Sequence, residues 1–109
     1  MRLRVAALTA ALVLAAPASA LAADGKFEYR YNDSTGDIES GQLVDPESRE
    51  CIGIPEVENE HGTFAFRPRN ATTSTVTLFK GSDCEGDHYT LRPGGKASDR
   101  LLFRSVAFS

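Results

Sequence analysis

The sequence predicts a small all-β domain, and three observations carry that prediction. Apolar residues recur at every second position in several stretches, the period of a strand buried on one face. No window after the first twenty or so residues holds the three-and-four spacing of an amphipathic helix. Turn-forming clusters of Gly, Pro, Asn, Asp and Ser return every eight to twelve residues, the rhythm of a β-sandwich or barrel.

The first segment stands apart from that pattern. Arg2 and Arg4 precede an apolar run from Val5 to Ala16, broken by Pro17 and followed by Ala18-Ser19-Ala20 and Ala20-Leu21-Ala22. A positive start, a short apolar core and small-x-small sites are the pattern of a cleaved signal peptide. The apolar run is too short for a span of about 20 residues. Residues 1–23 are therefore expected to be removed, leaving 24–109 as one domain.

The strands follow in order. Lys26 to Tyr31 places three aromatics on one face and charges on the other. Asn32-Asp33-Ser34-Thr35-Gly36 turns the chain, and Ile38 to Val44 forms a weaker second strand. Asp45-Pro46-Glu47-Ser48 turns it again, before a short apolar run from Cys51 to Ile54 that Pro55 ends. Glu56 to Gly62 is a polar loop. Thr63 to Arg67 is a strand, with a turn expected at Pro68-Arg69-Asn70. Thr75 to Phe79 has the strongest β-propensity. Gly81 to Gly86 is a loop, His88 to Leu91 a strand, Arg92-Pro93-Gly94-Gly95 a turn, and Leu101 to Phe108 the closing strand.

Two cysteines remain after the signal segment, Cys51 and Cys84. In an exported chain the expected state of such a pair is a disulfide. Closing a loop of this length contributes about 3 kcal/mol by constraining the unfolded chain. A metal pair would need further ligands, and no suitably spaced histidine pair is present.

Charge is uneven. Removal of Arg2 and Arg4 leaves ten basic against fifteen acidic residues, net −5. Residues 24–66 carry eleven acids against three bases, while 67–109 carry seven bases against four acids. An acidic chain argues against a nucleic-acid partner, which selects a basic face. No segment of 24–109 is apolar enough to cross a membrane as a helix, and a monomer is expected.

The stretch 75–108 resembles the Greek-key motif of the βγ-crystallins. Phe79 comes first, four residues intervene, Cys84 stands where that family places a second aromatic, and Gly86 follows one residue later. Ser105-Val106-Ala107-Phe108 is similar to the closing segment. With Cys51-x-x-Ile54 and Asn70-Ala71-Thr72 upstream, the chain also resembles small secreted actinobacterial proteins. The resemblance implies a Greek-key β-sandwich in which Phe79, Gly86 and Ser105 are structural. Glycine reaches backbone angles that other residues avoid, and the serine hydroxyl bonds the folded loop. Residues 24–67 contain no second copy of the motif.

The resemblance also raises calcium, because many microbial members of that family bind it. Asn32-Asp33-Ser34-Thr35 begins their motif, but Gly36 and Asp37 replace its hydroxyl residues. Asp83, Glu85 and Asp87 are the other calcium candidates, three hard-oxygen donors at alternate positions. A solvated acidic loop is the favoured account of them, so no cofactor is expected.

Catalysis needs a base set beside a nucleophile or metal. The histidines are His61 and His88, and neither lies in a recognisable motif. Arg67, Arg69, Arg92, Arg100 and Arg104 form a dispersed basic set, suited to an acidic partner or polysaccharide if they share a face; ordinary solubilising charge opposite the acidic half is the favoured account. The function expected is a secreted, non-enzymatic binding module for an extracellular protein or polysaccharide, with the Glu56–Gly62 and 83–88 loops as contact surfaces. A peptidase inhibitor, a calcium-binding structural or wall-associated protein and a secreted toxin are the alternatives.

Overall fold

The computed structural model describes residues 21–58 and 62–109. The segment read from sequence as a signal peptide lies, up to Ala20, outside the described residues. Among the described residues seven strands form two antiparallel sheets: β1 (Gly25–Asn32), β2 (Ile38–Val44), β3 (Cys51–Gly53), β4 (Ala65–Thr72), β5 (Val76–Phe79), β6 (His88–Leu91) and β7 (Ser105–Phe108). One sheet has the order β2-β1-β4 and the other β3-β7-β5-β6. No α-helix occurs among the described residues, only a 3₁₀ turn at Ser82–Cys84. The predicted all-β class and the disulfide are both present.

The two sheets stack through the alternate residues that the sequence pattern marked as inward. Phe27 of β1 meets Phe108 of β7 edge-on at 5.7 Å and Phe103 at 5.9 Å. Val76, Leu78, Val106 and Ile54 complete the floor of the core, each 0 or 1% exposed. Fully burying such a side chain contributes about 1.5–3 kcal/mol. Tyr29 lies over Gly41, its cross-strand partner on β2. A Cβ at Gly41 would come within 2.6 Å of the ring, so only glycine lets the aromatic lie flat there. The Tyr29 hydroxyl donates to Glu56 Oε1 at 2.6 Å. Burial, and then acceptance of that proton by the Glu56 carboxylate, hold the phenol well above its ordinary pKa.

Two strand boundaries differ from the sequence reading. The turn expected at 68–70 is instead the middle of β4. Pro68 is tolerated there because the register slips between Glu28 and Arg30, so Arg67 and Pro68 together oppose Tyr29. A bulge needs no ladder N–H at that point. Arg67 has φ 51°, as a bulge residue often does. Asn70 is wholly buried, and its amide donates to the Ser74 and Leu91 carbonyls. The closing strand starts only at Ser105, since Phe103 leaves the sheet to bridge Ala65. Ala23, beside the cleavage site expected from sequence, is 0% exposed in the core. Its N–H donates to the Pro46 carbonyl at 2.8 Å, and Ala22 bridges Glu47.

Candidate functional site

The outer faces of the two sheets differ in kind. On the four-stranded sheet, the chain leaving β5 folds back across the outward side of β7. Gly81 N–H donates to the Glu85 carbonyl, and Lys80 N–H to the Asp87 carbonyl. Asp83, Cys84 and Gly86 all have positive φ, at 60°, 58° and 87°. Ser105, 0% exposed on β7, lies beneath this loop. Its hydroxyl donates to the Gly81 carbonyl at 2.7 Å and accepts the Cys84 N–H at 2.9 Å. The Cys51–Cys84 disulfide, with Cα atoms 5.9 Å apart, clamps the same loop to the edge strand β3. Phe79 meets His88 across the β5–β6 pair, the rings tilted at 43° with centroids 5.8 Å apart.

The loop exposes Asp83, Glu85 and Asp87. Among the described residues no three His, Cys, Asp or Glu side chains gather into a group that could hold a metal ion. The alternating carboxylates do not converge, because two successive left-handed residues swing the backbone round between them. The other calcium candidate is occupied as a hairpin turn. Asp33 Oδ1 accepts the backbone N–H groups of Thr35 and Asp37 and the Thr35 hydroxyl. That hydroxyl bond is the main reason the Asp33 carboxyl sits below its ordinary pKa.

The Glu56–Gly62 loop is described only in part, since residues 59–61, including His61, lie outside the described residues. Its first half is anchored. Val57 is buried, its N–H and that of Glu58 both donate to the Ile54 carbonyl, and Glu56 is held by Tyr29. The Glu58 side chain lies over Gly53, the register partner of Ser105. The two loops singled out from the sequence thus both touch the β3–β7 pair. His88 is exposed and makes no side-chain hydrogen bond among the described residues.

The outer face of the three-stranded sheet is open. It forms a groove of about 730 Å³ whose lining includes Glu28, Arg30, Gln42, Arg67, Arg69 and Lys96. Pairing builds it row by row. Gly95 and Lys96 run alongside β4, with Asn70 N–H on the Gly95 carbonyl and a bridge between Arg69 and Lys96. Arg69 faces Glu28, and Glu28 faces Gln42. Lys96, Arg69, Glu28 and Gln42 therefore form one line across the sheet, with Arg30 and Ser40 on the next row. Arg67 is fixed at the rim by a two-pronged ion pair with Asp99, 2.6 and 3.0 Å. Arg30, Arg69 and Lys96 have no ion-pair partner among the described residues.

Of the basic set read from sequence, only Arg67 and Arg69 reach this groove. Arg92 lies in the turn after β6, Arg100 lines a smaller hollow beside His88, and Arg104 stands over the Phe64 ring at 5.5 Å. Arg30 and Lys96 were not in that set. Arg30 was legible as part of the charged face of β1, whereas nothing local places Lys96 beside Arg69.

No known protein family, no curated protein and no solved structure matches the chain.

Proposed function

We propose that this protein is a secreted, non-enzymatic binding module and that the groove on the three-stranded sheet is its binding surface. The observation that carries the reading is three unpaired cations gathered in one open groove of a chain whose net charge is negative. Lys96 and Arg69 are like-charged register partners, and like charges set opposite one another weaken a fold. Their retention on a rigid sheet fits a surface kept for an acidic partner. Sites built on strands hold geometry better than sites on loops.

Secretion is supported by the signal-type segment and by the disulfide. Among the described residues no helix is long and apolar enough to cross a membrane. The crystallin-like Greek-key reading is supported by the Ser105 hydroxyl under the 81–85 loop and by the positive φ of Gly86. A peptidase inhibitor working through the Glu56–Gly62 loop is less favoured, because Val57 is buried and Glu56 is tied to Tyr29. Label transfer tests the proposal. A photo-crosslinking residue at Gln42 should form an adduct with extracellular material from the producing cells, and one at Thr90 should not. Adducts from Thr90 alone, or from neither position, would count against the groove.

A further inference from the structure

We infer that the groove binds an acidic polysaccharide, an extended chain carrying carboxylates and free hydroxyls on successive rings. The inference rests on the reading of the groove as the binding surface and names its ligand.

The line of residues sets the chemistry. Lys96 and Arg69 present cations side by side. Glu28 follows, then Gln42, with Ser40 adjoining on the next row. Guanidinium and ammonium groups hold carboxylates by charge-assisted hydrogen bonds. A carboxylate, an amide and a serine hydroxyl exchange hydrogen bonds with sugar hydroxyls. Three strand spacings separate the two ends of the line, about 14 Å, enough for more than one sugar ring.

The groove is equally informative about what it would not hold. It is only half-enclosed, whereas a small-molecule site encloses most of its ligand. The Tyr29 ring that borders it is turned inward over Gly41 with its hydroxyl on Glu56. It therefore offers no aromatic face on which an uncharged sugar ring would stack. A nucleic acid presents one charge per 1.7 Å or so of duplex, and Glu28 in the floor and Glu56 in the lining would oppose so dense a polyanion. A polymer with one carboxylate per ring, more widely spaced than phosphates, meets that mixture with less repulsion. An acidic peptide would match the cations but not the hydroxyl-binding end of the line.

The experiment is an amide NMR titration of the oxidised protein with four probes: oligogalacturonate, uncharged dextran oligomers, an oligoglutamate peptide and a single-stranded DNA oligomer. Oligogalacturonate should shift the amides of Glu28, Arg30, Arg69 and Lys96. It should do so at concentrations at least tenfold below those at which any other probe has that effect. The Arg30→Gln/Arg69→Gln/Lys96→Gln variant should lose that response while its melting temperature stays within a few degrees. Tighter groove binding of the peptide or the DNA would overturn the polysaccharide assignment and leave the groove as the binding surface. Shifts confined to other parts of the molecule, or none with any probe, would overturn both.

Discussion

Replacing Ser105 by alanine removes the hydroxyl that joins the folded loop to the sheet. Two hydrogen bonds are lost, to the Gly81 carbonyl and from the Cys84 N–H. A net hydrogen bond contributes about 0.5–1.5 kcal/mol, and a buried group left without a partner costs about 1–3 kcal/mol. Ser105 itself is wholly buried, but Gly81 and Cys84 are only half-buried. Water reaches part of the released carbonyl and amide, so the lower figures apply and the loss should be about 2 kcal/mol. For a domain of this size that corresponds to a melting temperature lower by roughly 8–16 °C. Guanidinium unfolding with the disulfide intact measures it, and the slope of the transition should not change. Ser98→Ala is the control, since its hydroxyl accepts one exposed backbone N–H and surface changes stay within about 0.5 kcal/mol. A Ser105→Ala loss no larger than the control's would refute the view that this hydroxyl holds the loop.

Three further outcomes follow from the same packing. Replacing both cysteines by serine should cost about 3–4 kcal/mol. Combined with Ser105→Ala it should cost less than the sum, because bridge and hydroxyl restrain one loop; strict additivity in a double-mutant cycle would contradict this. The native Tyr29 phenol is held above its ordinary pKa by burial and by Glu56. It therefore contributes stability below about pH 10 that is lost as pH rises beyond that value. Tyr29→Phe should make alkaline unfolding less steep, and an unchanged pH slope would count against the burial of that hydroxyl. Ala23 fills a core position and pairs with Pro46, so a processed form of the chain should begin at Leu21 or Ala23. A mass corresponding to a chain starting at Asp24 would contradict that.

Much of the fold was legible because strand period and turn chemistry are local. Phe27, Tyr29 and Tyr31 alternate with charges, and the tyrosines and phenylalanine turn inward as the period requires. Asn32 to Gly36 turns as its residue types require, with Asp33 capping its own loop. What was not legible depends on contacts distant in sequence. Pro68 reads as a turn in isolation, and only the bulge opposite Tyr29 lets it sit inside β4. Asp83, Glu85 and Asp87 look like an alternating ligand set on paper. Left-handed backbone at Asp83 and Cys84, fixed by Ser105 and the disulfide, spoils the alternation. The groove had half its cations visible in the sequence, Arg67 and Arg69. Arg30 and Lys96 join them only through pairings of β4 with β1 and with residues 95–96, which no local pattern announces.

The most direct test of the binding account is the salt dependence of oligogalacturonate affinity, measured by calorimetry on the native protein and on the Arg30→Gln/Arg69→Gln/Lys96→Gln variant. Exposed charge pairs are screened over about 10 Å at 0.1 M salt. Native affinity should therefore fall steadily as salt is raised from about 50 to 200 mM, the range over which phosphate-contacting proteins lose affinity. The variant should bind at least tenfold more weakly and lose most of that dependence. Affinity that ignores salt, or that is equal in the two proteins, would contradict the account.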